Sequence, residues 1–250
     1  MKVFFHHAFY ELYTSDPAAA GGRMEAIVEA IEGRVTLVEP RPATEAELSA
    51  VHDRDHIAEV RRMGLCEIAA LAAGGAIEAA DAGLTSPSFA LIRPPGHHAS
   101  IQDAWGFCYF NNMAVALMAL KQRGKIEQAF VLDIDLHYGD GTVNILGSED
   151  WVEIFNPAAA DRKGYLTSVQ DALHEFQGDV IGVSAGFDYH VQDWGGLLTT
   201  EDYRRVGAMV RTSAASHGAG CFGVLEGGYN HRVLGSNVLA FIEGLEGRTR

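Results

Sequence analysis

The run Val131-Leu132-Asp133-Ile134-Asp135-Leu136-His137-Tyr138-Gly139-Asp140-Gly141 decides the fold. In an extended chain side chains alternate, so Asp133, Asp135 and His137 share one side, and Leu132, Ile134 and Leu136 the other. A strand facing water would not need so uniformly aliphatic an inner face. The run therefore reads as a buried strand with a polar tip. Two carboxylates leaving a buried strand repel each other unless a cation or a donor sits between them. A metal removes that cost, and a carboxylate with an imidazole two residues further on is a workable chelate.

Further strand-like runs flank it at residues 2–6, 34–38, 88–92, 151–155, 179–184 and 221–225, with the quoted strand covering 129–135. Several are continuously apolar, as parallel strands covered on both faces are. Amphipathic, helix-like stretches lie between them at 24–31, 57–62, 65–81, 112–123, 203–216 and 232–245. Thr44 with Glu47 makes a capping-box start for a helix running to His52. Strand and helix in alternation imply crossover connections. The fold class is α/β, a three-layer arrangement with a mostly parallel central sheet flanked by helices. No linker and no internal repeat divides the chain, so residues 1–250 are read as one domain. The alanine runs at 18–20 and 158–160 sit beside proline and read as loops.

Composition narrows the class further. With 48% hydrophobic and 21% charged residues the chain is neither disordered nor fibrous. The net charge of −14 argues against a nucleic-acid partner, whose affinity would come from clustered Lys and Arg. Three cysteines without a C-x-x-C spacing read as buried thiols in a reducing compartment. No signal peptide or membrane-length apolar run is evident, so a cytoplasmic protein without a membrane partner is expected.

An open parallel sheet carries its chemistry beyond the carboxyl ends of its strands. Three more strand ends are polar there: Arg93-Pro94-Pro95-Gly96-His97-His98, Ser184-Ala185-Gly186-Phe187-Asp188 and Glu226-Gly227-Gly228-Tyr229. The prolines stop a helix, and Gly96 permits the turn that lets two consecutive histidines face one site. Each end alone has a plain reading: a polar loop, a helix cap, a packed tyrosine. Four of them on one rim are harder to ascribe to chance.

Taken together, these segments (93–99, 106–109, 132–141, 184–188 and 226–229) resemble the zinc-dependent histone deacetylase family, which includes acetylpolyamine amidohydrolases and shares the arginase-like fold. The resemblance implies metal ligation by Asp135, His137 and Asp188. It implies catalytic His97 and His98, with Asp133 and Asp140 as their carboxylate partners, and Tyr229 as the catalytic tyrosine. Gly106 and Phe107 match the lining of a substrate channel, and Gly227 and Gly228 are grouped with them as substrate-binding. The implied activity is hydrolysis of an N-acylated amine, such as acyl-lysine, an acetylpolyamine or a small amide. One Zn²⁺ per subunit is expected, with Fe²⁺ as the alternative ion, and K⁺ held by the segment around Asp133, Asp135 and His137. The rival readings are a binuclear ureohydrolase and an acyl-binding module with an idle metal.

The chain departs from the family in its loops. Residues 11–23 offer Asp16-Pro17-Ala18-Ala19-Ala20 where a His-Pro-Glu-Arg-like stretch is usual, and residues 156–164 lack the aromatic of the second channel wall. Tyr165 and Phe155 are the nearest substitutes. So trimmed a rim suggests either an open, shallow pocket or one completed by a neighbouring subunit, the second of which implies a homo-oligomer. Asp193 is a candidate acidic gatekeeper for a cationic substrate. His52 and His56 read as capping and surface-pairing residues, and His190, His217 and His231 have no partner at metal-ligand spacing.

Overall fold

The computed structural model describes residues 1–248. The chain begins with β1 (Lys2–Phe4), α1 (Arg23–Ile31), β2 (Thr36–Val38), α2 (Glu45–Ser49), α3 (Arg54–Arg62), α4 (Cys66–Gly83) and β3 (Ser88–Ala90). It continues through α5 (Asn112–Gln122), β4 (Ala129–Asp133), α6 (Asp140–Leu146), β5 (Val152–Phe155) and α7 (Arg162–Glu175). The last elements are β6 (Val180–Ala185), α8 (Thr200–His217), β7 (Gly220–Leu225) and α9 (His231–Leu245). Seven strands form one sheet in the order β2-β1-β3-β7-β6-β4-β5, and every pairing is parallel. The anticipated sheet was only mostly parallel.

Helices cover both faces. Phe222 and Gly223 are neighbours in β7 and point to opposite sides. Gly182, on the Phe222 side, abuts Met113 of α5, whereas Gly223 abuts Phe241 of α9. The central strands β3, β4, β6 and β7 are buried throughout. Burying Phe130, Val131 and Leu132 of β4 contributes about 1.5–3 kcal/mol each. Among the described residues no helix is long and apolar enough to cross a membrane.

All seven anticipated strands form, most of them shorter than expected; β4 ends at Asp133, and Asp135 lies in the loop beyond. The Thr44–Glu47 capping box is present and starts α2. Two helices were not foreseen. α6 is short and carries Gly141, and α7 begins with charged and polar residues after an Asp161 cap, so neither shows a strong apolar stripe. Residues 17–19 form a single 3-10 turn capped by Asp16 rather than an open loop.

His52 and His56 are a correction. Both are buried, with rings 5.0 Å apart. His52 donates from Nδ1 to the Ser100 carbonyl at 2.8 Å and accepts from the Asn111 amide at Nε2, at 2.9 Å. His56 Nε2 donates to the Tyr109 carbonyl at 2.7 Å. These histidines pin the ends of the segment 100–111 to the body; they do not pair on the surface.

Candidate metal centre and active site

Strands β3, β7, β6 and β4 are consecutive and parallel, so their carboxyl ends open on the same edge. Asp135, His137 and Asp188 meet there, each offering one ligand atom within 4.8 Å of the others. His137 Nδ1 lies 3.1 Å from Asp135 Oδ1 and 3.2 Å from Asp188 Oδ2. The remaining carboxylate oxygens are fixed by main-chain donors: Asp135 Oδ2 accepts from Gly227 N at 2.8 Å, and Asp188 Oδ1 from Leu136 N at 3.0 Å. Asp188 Oδ2 is buried and has no hydrogen-bond partner, because its approach to the imidazole lacks hydrogen-bond alignment.

One ring nitrogen facing two carboxylates, with a buried oxygen unsatisfied, is the arrangement of ligands around a common point. An imidazole N–H can serve only one acceptor. Burial and the neighbouring Asp135 push the Asp188 carboxyl up to about 6, while both carboxylates raise His137 to about 10. A divalent cation would relieve that crowding, and an Asp/His/Asp set suits Zn²⁺ or Fe²⁺. Gly227 must be glycine here, since a Cβ would sit 2.6 Å from Asp135 Oδ2 and 2.8 Å from Asp188 Oδ2.

The turn after β3 brings the two histidines together, their rings 4.0 Å apart. Glu226 at the end of β7 holds this turn, its Oε2 accepting from the amides of Gly96 (2.7 Å) and His97 (3.2 Å). His97 Nδ1 bonds Asp133 Oδ2 at 3.0 Å, and His98 Nδ1 bonds Asp140 Oδ1 at 2.6 Å. In both cases Nδ1 is committed to a carboxylate, which leaves Nε2 for the cleft. Burial lowers the basicity of each ring, with opposite outcomes. At His97 the charges of Asp133 and Asp135 more than offset it and hold the imidazolium well above its usual range. At His98 burial and the neighbouring His97 charge prevail and bring it down to about 4.

Tyr229 closes the other side. Gly228 turns the chain at φ +115°, and Asp193 Oδ2 accepts from the amides of Tyr229 (2.8 Å) and Asn230 (2.7 Å). Burial, then the charges of Asp135 and Asp188, raise the phenol's pKa, so it remains a neutral donor. His97, His98, Phe107, His137, Gly227 and Tyr229 line a narrow cavity of about 110 Å³, walled further out by Trp105 and Trp194. A larger hollow of about 620 Å³ between α7 and α8 holds no such convergence of groups, so size alone does not identify the site.

Every residue proposed from the sequence as ligand, catalytic group or carboxylate partner gathers at this edge. Gly106 passes over the His98 ring at φ +59°, where a Cβ would collide with it, and Phe107 follows at φ +69°, facing the edge of Tyr229. Gly228 faces Leu234 and Phe187 and shapes the turn.

Three expectations need correction. Asp193 is tied to the Tyr229 turn and to Trp194 N rather than standing as a free gatekeeper. Tyr165 is buried beneath the site, its hydroxyl donating to the Ile134 carbonyl at 3.4 Å, and is no channel wall. The aromatic that lines the cavity instead is Trp194, stacked on Tyr229 with centroids 4.0 Å apart. Sequence reasoning also missed Arg23, fully buried at the start of α1, which donates to the carbonyls of Gly228 (2.9 Å) and Glu226 (2.6 Å). Nothing local marks it, because its partners lie more than 200 residues away.

This geometry has relatives. The model of the histone deacetylase domain matches residues 18–157 and 156–245. A probable deacetylase of Methanothermobacter thermautotrophicus is 30% identical, over 98% of this chain and 91% of its own. A histone deacetylase-like amidohydrolase of Pseudomonas aeruginosa is 31% identical, over 94% and 80%. The mouse polyamine deacetylase HDAC10 is 28% identical, over 87% and 42%. The alignment to the Methanothermobacter protein runs over 304 positions against 250 residues here, so it contains gaps in this chain. Among solved structures, the crystal structure of the HDA15 HD domain superposes with a TM-score of 0.82 at 26% identity, covering 99% of this chain and 90% of that one. The chain belongs to the histone deacetylase domain family, a family of deacetylases and amidohydrolases.

Proposed function

We propose that the protein is a metal-dependent hydrolase that removes an acyl group, chiefly acetyl, from the nitrogen of an amine. The observation that carries this reading is the convergence of the Asp135–His137–Asp188 ligand set with the His98–Asp140 pair and the neutral Tyr229 phenol in one narrow cleft. Those three side chains would hold Zn²⁺ or Fe²⁺, which when bound would supply Lewis acidity toward an amide carbonyl and a water molecule. Two anionic ligands make a weaker Lewis acid than three histidines would, so the protein's own donors matter more. Tyr229 donates its O–H to the developing oxyanion. His98, low enough in pKa to be neutral, takes a proton from water and returns it to the leaving nitrogen as the C–N bond breaks. His97 stays charged between Asp133 and the reaction centre and stabilises negative charge there. The products are a carboxylate and a free amine.

Substrates of this reading are acyl-lysine peptides, acetylated polyamines and small amides. The net charge of −14 and the aromatic walls suit a cationic amine, and a polyamine deacetylase stands among the relatives. The binuclear alternative finds no support: among the described residues only one group of three metal-ligating side chains is found, and Asp188 is followed by Tyr189. The K⁺ expectation has one supporting feature, the buried Ser184 Oγ without a partner, in register with Asp133. Activity across a potassium titration at constant total salt tests it; no dependence rejects it.

The main test is a panel of acetyl-lysine peptide, N-acetylputrescine and a simple acetamide, assayed with a metal-quantified preparation. Turnover that disappears together with the metal in His137→Ala supports the reading. A metal-replete enzyme that hydrolyses none of them rejects it.

A further inference from the structure

We propose that Trp105 is a positioning residue for the His98–Asp140 pair, a role that rests on the hydrolytic reading above. Asp140 opens α6 at the mouth of the cleft with its side chain 36% exposed, so burial does not fix its carboxylate. Two side chains fix it instead: His98 Nδ1 on Oδ1 at 2.6 Å and Trp105 Nε1 on Oδ2 at 2.8 Å. The same indole lies over the imidazole, with centroids 3.8 Å apart at 31°, while His97 backs the other face at 4.0 Å. His98 is thereby only 3% exposed although its cover, Trp105, is 56% exposed.

Without the indole, Asp140 would keep one side-chain hydrogen bond and could rotate about its Cβ–Cγ bond. The outer face of His98 would open to water. A general base that must meet its water within hydrogen-bond reach loses rate when its orientation loosens. Trp105 can act this way because its own segment is anchored. His52 bonds Ser100 and Asn111 at the two ends, and the Cys108 amide donates to the Trp105 carbonyl at 3.0 Å. At His97–Asp133 the protein interior does the corresponding work, which is why no second tryptophan is needed there.

A tryptophan that merely lined the cleft would change substrate affinity alone. Trp105→Phe keeps a ring over His98 and removes the N–H donor; Trp105→Ala removes both. With acetyl-lysine peptide and N-acetylputrescine, Trp105→Phe is expected to lower kcat about tenfold with KM within about twofold, and Trp105→Ala to lower it further. In an Asp140→Asn background the Phe change should add nothing, because the two residues act as one unit. Independently of activity, the downfield His98 Nδ1–H resonance should broaden by solvent exchange in Trp105→Phe, in metal-loaded and metal-free protein alike. An unchanged kcat, a rise in KM alone, full additivity with Asp140→Asn, or an unchanged resonance would each overturn the role. If the wild-type enzyme turns over neither substrate, the hydrolytic reading fails, and the resonance still decides whether Trp105 holds the pair.

Discussion

The two histidine–aspartate pairs differ in what surrounds them more than in what they are. His97 and Asp133 are both buried, their side chains 4% and 1% exposed, with Asp135 a second carboxylate close by. His98 and Asp140 lie one step outward, the aspartate partly in water and the imidazole beside a charged neighbour. Two neighbouring imidazoles of the same type are thus driven to opposite charge states. The inner one keeps its proton because two carboxylates outweigh its desolvation, and the outer one sheds it because one hydrated carboxylate does not. Environment, not identity, sets the two basicities apart, and the proposed roles of fixed charge and proton carrier follow from that difference.

The division breaks if the histidines prove interchangeable. His98→Ala is expected to lower kcat by about 10²–10⁴ with the metal retained, and His97→Ala by less. Equal losses, or the reverse order, in steady-state kinetics on a metal-quantified sample would dissolve the distinction. Next in size, if the phenol serves the developing oxyanion as proposed, Tyr229→Phe should reduce kcat about 10²–10³-fold at nearly constant KM.

The aspartates sharpen the contrast through stability. Asp133→Asn strips the partner from a buried imidazolium and should cost about 3–5 kcal/mol. Asp140→Asn, at a partly hydrated position, should cost under about 1 kcal/mol. Chemical denaturation of the metal-free variants reads both, and similar midpoints would show that the outer pair is as buried in effect as the inner one.

The smallest effect concerns His52, whose burial, aided by His56, lowers it from an ordinary 6.5 to about 4. A depressed histidine is neutral in the fold. It contributes stability that is present above pH 6.5 and is lost as pH falls toward 4. Hydrogen exchange in residues 100–111 should therefore quicken over that window, and His52→Gln should flatten the dependence. Acceleration spread evenly over the sheet would deny His52 its local role.

Much of this could be read before any coordinates. Leu132, Ile134 and Leu136 against Asp133, Asp135 and His137 announce a buried strand with a polar tip, because the period of a strand is local. The same logic found the ends carrying His97, Asp188 and Tyr229. What escaped was set by partners distant in sequence. Arg23 carried no signal of its own, because the carbonyls of Glu226 and Gly228 that surround it lie at the far end of the chain. Asp193 has the charge of a gatekeeper but spends it on the Tyr229 and Asn230 amides. His52 looks like a cap until the 100–111 segment folds over it. α7 escaped for a different reason: Gly164 and Thr167 dilute its pattern, and packing on α8 and of Tyr165 on Tyr189 helps hold it.

β7 comes last in chain order among the described strands, yet it lies in the middle of the sheet, between β3 and β6. Until residues 220–225 insert, an emerging polypeptide presents two unzipped borders, each an invitation to mispair. Gly227, whose amide steadies Asp135, arrives with that insertion. If the Asp135–His137–Asp188 set holds a divalent ion as proposed, tight uptake of that ion should report that this wedge has been driven home.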